Sequence, residues 1–144
     1  MIQITKLNHT YRNKEERALK EINLTIKKGE NIVLLGQSGS GKSTLIKCIN
    51  KLVKPSSGSI LINNEDILKL NSKEIKDVRK KIAVIFQEFN LLEKETVLNN
   101  VLNGRLGHMG TMNTFLGRFN KKNKEIAITN LEKVGLLNLK NEKV

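Results

Sequence analysis

The stretch Gly36-Gln37-Ser38-Gly39-Ser40-Gly41-Lys42-Ser43 decides the fold of this 144-residue chain. It meets a pattern of one glycine, four unconstrained positions and then Gly-Lys-Ser/Thr, carried here by Gly36, Gly41, Lys42 and Ser43. Chance supplies such a match in a chain of this length on the order of one time in a few hundred. The flanks agree with it. Asn31 to Leu35 is a short apolar run that reads as a buried strand, and from Lys42 to Lys51 the residues Leu45, Ile49 and Leu52 recur on one helical stripe.

A strand, a glycine-rich turn and a helix in that order make an anion cradle. Glycines at 36, 39 and 41 permit backbone angles that let successive N–H groups turn inward around phosphate oxygens. The helix that follows points its positive end at the same anion. In this geometry Lys42 reaches the outer phosphates of a nucleotide and the Ser43 hydroxyl ligates Mg²⁺.

Outward from the loop, residues 2 to 11 and 21 to 26 read as strands, the second alternating polar and apolar as a half-buried antiparallel strand does. Lys54-Pro55-Ser56-Ser57-Gly58 stops the loop helix, and Ser59 to Ile62 reads as a further strand closed by Asn63-Asn64. Asn71 followed by Glu74 resembles a capping box opening a helix to about Lys80. Ile82 to Phe86 is apolar throughout, as a buried parallel strand is. Beyond it, Thr96 to Leu102 reads as helical, Gly104 to Gly117 as irregular, and Lys124 to Val134 as a helix with Ala127, Leu131 and Val134 on its apolar stripe. Gly135 reads as its stop.

The 26 Lys and Arg against 14 Asp and Glu leave a net charge of +12. Nucleic acid and anionic membrane both reward clustered positive charge. Here lysines recur in ones and twos along the whole chain, and one Tyr, four Phe and no Trp offer few faces for stacking on bases. A solvated basic surface is the reading, and no nucleic-acid partner is expected. The longest apolar runs fall far short of the roughly 20 residues that span a bilayer, and the start of the chain does not resemble a signal peptide. A cytosolic chain touching membrane only through a partner is expected. The single cysteine, Cys48, permits no intrachain disulfide and lies among Leu45, Ile49 and Leu52, where it reads as core packing.

The neighbours of the loop distinguish among the proteins that carry one. Tyr11 ends the first strand and resembles the adenine-stacking aromatic of ATP-binding cassette (ABC) proteins. Lys28-Gly29-Glu30 is similar to that family's approach to its loop. Ile82-Ala83-Val84-Ile85-Phe86-Gln87 resembles its Q-loop, in which a glutamine senses the γ-phosphate, Mg²⁺ and the attacking water. Glu88 also follows an apolar run, as the acid of a Walker B strand does, but no Asp precedes it, and it is not expected to be the catalytic base.

The resemblance implies an α/β P-loop NTPase, with an antiparallel β subdomain and a parallel-sheet core in residues 1–90, truncated before the Walker B strand. Residues 91–144 would begin a helical, permease-docking subdomain. It implies that Tyr11, Gly36, Gln37, Ser38, Gly39, Ser40, Gly41, Lys42, Ser43 and Thr44 hold ATP, that Ser43 and Gln87 hold Mg²⁺, and that Lys42 and Gln87 serve catalysis. The implied partners are transmembrane permease subunits, a second copy of the chain and, indirectly, a solute-binding protein, with the chain peripheral on the cytoplasmic face of the membrane.

Asn99-Asn100-Val101-Leu102-Asn103-Gly104-Arg105-Leu106-Gly107-His108 and Phe115-Leu116-Gly117-Arg118-Phe119 resemble the corresponding stretch of phosphonate importer ATPases. The resemblance implies uptake of a small anionic solute, with phosphonate ahead of a phosphate ester, methionine or a polar amino acid. Arg105 and Arg118 also fit solvated charges, and His108 a loop residue.

The family's Leu-Ser-Gly-Gly-Gln signature, its Walker B Asp and catalytic Glu, and its switch His are not in the sequence. In the family these groups close the site across a dimer and polarise the water that attacks the γ-phosphate. Residues 1 to 144 alone are therefore expected to hydrolyse ATP negligibly and to be poorly soluble, with an apolar sheet edge left open. The competing readings are a remnant that at most binds nucleotide, or another phosphate-loop enzyme such as a kinase, for which no lid of arginines or acceptor site is found.

Overall fold

The computed structural model describes residues 1–12, 17–86 and 90–144. It divides into two compact units, Met1–Ile82 and Ala83–Val144.

The first unit is built on a four-stranded antiparallel sheet in the order β2-β1-β3-β4, with β1 Ile2–Thr10, β2 Arg17–Ile26, β3 Ser57–Ile62 and β4 Glu65–Asp66. A two-residue turn at Asn63-Asn64, with φ of 50° and 67°, joins β3 to β4. Asparagine tolerates these angles best among residues with a side chain, which is why it occupies such hairpins.

A paired irregularity in β1 and β2 sets which side chains face the core. Lys6 and Glu21 both stand at φ 45° and interrupt the register between Ile4↔Leu24 and His9↔Leu19. Two asparagines satisfy the disturbed backbone reciprocally. The Asn23 Oδ1 accepts from the Lys6 N–H at 2.9 Å while its amide donates to the Glu21 carbonyl at 2.9 Å. The Asn8 Oδ1 accepts from the Glu21 N–H at 3.0 Å while its amide donates to the Lys6 carbonyl at 2.9 Å.

An extra residue in each strand moves the inward face by one position. Ile4 is buried, and after the irregularity the buried residues are Leu7 and His9; on β2, Leu19 gives way to the half-buried Ile22, Leu24 and Ile26. Asn23→Ala removes two of the four bonds, and about 1–2 kcal/mol of stability is expected to go with them. A denaturant midpoint identical to the unsubstituted protein would show that the paired bonds do not hold the bulge.

The sheet packs on α1, Lys42–Ile49, and α2, Ser72–Arg79, around a core of Ile4, Leu7, Leu19, Leu45, Cys48 and Ile60 with Ile67, Ile75 and Val78. Cys48 is fully buried, as its neighbours in sequence indicate, and burial raises its thiol pKa above the usual value. The capping box of α2 forms: Asn71 Oδ1 accepts from Lys73 N and Glu74 N at 2.9 and 3.0 Å, and the Glu74 carboxylate accepts from Asn71 N at 2.8 Å. From the far end of α2, the Arg79 guanidinium donates to the carbonyls of Asn50 and Lys51 at 3.1 and 2.8 Å, placing a cation on the negative end of α1. The helix stops at Ile49, so Leu52 falls beyond it and is more than half exposed.

Two apolar runs depart from expectation. Asn31–Leu35 and Ile82–Phe86 carry no ladder, and Val33, Leu35 and Ile85 are 77%, 89% and 99% exposed. A parallel strand is stabilised by strands on its edges and helices on its faces, and the sheet formed by the described residues is antiparallel throughout. Composition marks these runs as fit for a buried strand; the ladder needs partners that composition does not supply.

In the second unit, α3 (Val97–Asn103) and α5 (Lys121–Lys133) pack on each other and bury Leu102, Ala127 and Leu131. Thr96 and Asn120 cap the two helices through their side chains. Glu142 and Lys140 also accept, by backbone carbonyls, the Val97 and Leu98 N–H groups at 2.9 Å each. The segment 104–117 is more regular than the sequence suggests, with a 3₁₀ turn at Leu106–His108 and a short α4 at Thr111–Phe115. Bonds from Leu136 N to Leu131 O and from Gly135 N to Glu132 O close α5 in the pattern expected at Gly135, which leaves Val134 past the last turn and 65% exposed.

Candidate functional site

The Gly36–Thr44 segment turns from the exposed run into α1 through a bend at Ser38 to Ser40, with Gly39 at φ 81° and Gly41 at φ 93°. Gly41 is the N-cap. A Cβ there would lie 2.3 Å from the Ala18 carbonyl oxygen, so the start of α1 sits directly against β2.

The two ends of α1 are finished differently. At the C-terminus, Lys51 N bonds Cys48 O and Leu52 N bonds Lys47 O, and Arg79 bonds the Asn50 and Lys51 carbonyls just past the helix. At the N-terminus no side chain caps the helix and no acid stands in the first turn. Among the described residues, the N–H groups of Gly41, Lys42, Ser43 and Thr44 have no acceptor. Uncapped N–H groups and the helix dipole form a site for an anion.

Lys42 adds the charge. Its ammonium donates to the carbonyls of Gly36 and Gln37 at 2.7 Å each, and its nitrogen stands 3.3 Å from Ser40 Oγ. The cation is thus held inside its own loop, where the nine-residue segment closes on itself. Ser43 is exposed on the first turn of the helix, a hydroxyl that could hold a divalent cation. Behind the loop, β2 and residues 34 to 36 line a cavity of about 340 Å³ with Leu19, Leu24 and Leu45 among its walls.

Tyr11 joins this group. Just past the last residue of β1, its hydroxyl lies 3.1 Å from the Thr44 hydroxyl, one residue beyond Ser43. The structure therefore brings Tyr11 to Thr44, at the helix end of the Gly36–Thr44 segment. Gln87 and Glu88 lie outside the described residues.

Sequence reading missed His9. It is 7% exposed and packs edge-to-face against Tyr11, with ring centroids 4.6 Å apart and planes at 88°. The one signal was the shift of apolar positions from Ile2 and Ile4 to Leu7, which puts His9 and Tyr11 on the inner face. In the second unit, Arg105 is half-buried rather than a free charge: its Nε donates to the buried Asn123 Oδ1 at 3.1 Å and ties the turn after α3 to the start of α5. Arg118 and His108 are exposed.

A family model described as ABC transporter matches residues 19–144. The phosphonates import ATP-binding protein PhnC of Shouchella clausii (strain KSM-K16) is 44% identical over 137 residues, 95% of this chain and 51% of that protein. The protein of the same name from Alcaligenes faecalis is 41% identical over 143 residues, 99% of this chain and 51% of that one. The chain thus spans about half the length of these curated relatives. Among solved structures, the dimeric ATP-binding cassette MJ0796 bound to ADP and Pi superposes with a TM-score of 0.76 at 32% identity, covering 99% of this chain and 61% of that one. A nucleotide-free ATP-binding cassette from an ABC transporter gives 0.78 at 26% identity, covering 99% and 57%. A glycine loop opening into an uncapped helix, an antiparallel sheet beside it and a family match over most of the sequence agree: the chain belongs to the ABC transporter family, as part of its ATP-binding cassette.

Proposed function

We propose that this chain is the ATP-binding part of an importer subunit that couples ATP binding and hydrolysis to uptake of a phosphonate. The observation that carries the nucleotide reading is the first turn of α1, where four N–H groups have no acceptor among the described residues and the Lys42 ammonium is held in the loop that leads into them. Lys42 and the loop N–H groups of Gly36 to Thr44 bind the phosphates. Tyr11 provides a face for the adenine, and Ser43 with Gln87 holds Mg²⁺, which supplies charge neutralisation at the outer phosphates when bound.

The names of the relatives support phosphonate over a phosphate ester, methionine or a polar amino acid as cargo. Permease subunits and a second copy of the chain are the expected partners, the latter in keeping with the dimeric relative, and a solute-binding protein would act through the permease. No helix among the described residues is long and apolar enough to cross a membrane, and peripheral attachment to the cytoplasmic face follows from the importer role. Residues 1 to 144 as a purified polypeptide are expected to bind nucleotide and to turn it over negligibly, the same state a non-hydrolysing remnant would show.

Deleting the gene from its host is expected to abolish growth on a phosphonate as sole phosphorus source, with restoration by the native gene and none by its Lys42→Ala form. Growth that survives deletion, with uptake of methionine or an amino acid lost instead, would replace phosphonate as the cargo.

A further inference from the structure

The ladder between β1 and β2 ends at Thr10↔Arg17, so backbone pairing does not fix the ring of Tyr11. Two side chains do, and they constrain it differently. The Thr44 hydroxyl, 3.1 Å away, pins the tip of the phenol. A bond at one point leaves the ring free to turn about its long axis. His9 supplies the missing constraint: its imidazole, at 4.6 Å and 88°, sets the plane of the Tyr11 ring.

His9 makes this contact under a penalty. Both ring nitrogens are buried and have no hydrogen-bond partner among the described residues. A buried imidazole with neither nitrogen paired is destabilising where a leucine would not be. What the imidazole offers over a leucine is a flat, rigid ring set perpendicular to that of Tyr11.

We propose that His9 is a positioning residue for the nucleobase: it holds the Tyr11 ring in the plane on which adenine stacks, while Thr44 ties the same ring to the phosphate-loop helix. The proposal rests on Tyr11 being the adenine platform, as set out under Proposed function. It gives the base and phosphate halves of the site a common support, because the register shift at Lys6 and Glu21 that turns His9 inward also delivers Tyr11 to α1.

The test titrates the purified protein with ATP and with inorganic triphosphate, both in the presence of Mg²⁺. His9→Ala is expected to weaken ATP binding about three- to tenfold and to leave triphosphate binding unchanged, which also reports an intact loop. His9→Phe, which restores a flat ring, is expected to bring ATP affinity back to within about twofold of the original. Tyr11→Ala should erase the advantage of ATP over triphosphate. If Tyr11→Ala erases it but His9→Ala does not reduce it, or if phenylalanine fails to rescue, His9 does not position the ring. If His9→Ala weakens both ligands alike, its role is general stability and the proposal falls. If Tyr11→Ala leaves the advantage intact, the adenine platform itself is misassigned and the inference falls with it.

Discussion

Gly41→Ala is expected to destabilise the first unit by about 2–5 kcal/mol, adding the left-handed backbone penalty of a non-glycine residue to the clash of an extra carbon in a packed site. That corresponds to a fall of about ten degrees or more in the thermal midpoint. Position 41 is at φ 93°, and its Cβ would meet the Ala18 carbonyl oxygen at 2.3 Å and the Leu19 Cδ2 at 3.1 Å. The carbonyl belongs to the β2 backbone and cannot turn aside as a side-chain tip can. Relief requires the start of α1 to retreat from the sheet, carrying with it the N–H groups and Lys42 on which the anion site depends. Nucleotide affinity should therefore fall with stability. Gly29→Ala is the internal control, since Gly29 has φ 79° but nothing within 4 Å of the added carbon. Its loss should stay near the backbone penalty of about 1–2 kcal/mol. Equal losses at 29 and 41 would mean that the contact with Ala18 does not govern the helix start.

The contrast between those glycines reflects what a sequence can disclose about this fold. Features that depend on neighbours along the chain were legible. Asn71 and Glu74 form their capping box, Asn63-Asn64 makes the hairpin turn, and the glycine loop runs into α1 at Lys42. Features that depend on partners far along the chain were not. The apolar runs 31–35 and 82–86 have the composition of buried parallel strands, yet burial of such a strand belongs to the sheet that surrounds it. Val134 shows the same limit at one residue: it continues the spacing of Ala127 and Leu131, but α5 ends before it.

His9 falls between these cases. Its placement follows from a local shift in the apolar pattern between Ile4 and Leu7, but that shift becomes a bulge only because Asn8 and Asn23 satisfy the disturbed backbone of the opposite strand. A strand read at strict period two assigns position 9 to the wrong face. The glycine loop and the start of α1 are thus legible, where the residues are contiguous, and the contact of His9 with Tyr11 is not, where a strand edge, a bulge and a helix side chain meet.

Lys42→Ala is expected to weaken nucleotide binding about ten- to a hundredfold. A hydrogen bond to a charged group is worth about 1.5–3 kcal/mol, and each 1.4 kcal/mol is a factor of ten in the dissociation constant. The full strength of an ammonium–phosphate pair would not appear in the measurement, because Lys42 already donates to the carbonyls of Gly36 and Gln37. Binding exchanges neutral acceptors for anionic ones, and the difference is what the substitution removes. The same exchange predicts that the loss shrinks as salt rises, since an exposed ion pair is screened within about 10 Å at 0.1 M salt. Lys42→Arg makes a sharper comparison. The bulkier guanidinium keeps the charge but cannot occupy the tight carbonyl pair as a single ammonium does, so it should recover only part of the affinity. Should Lys42→Ala bind ATP as the unsubstituted chain does, the loop would be a glycine turn before a helix, and the uncapped first turn of α1 would require another explanation.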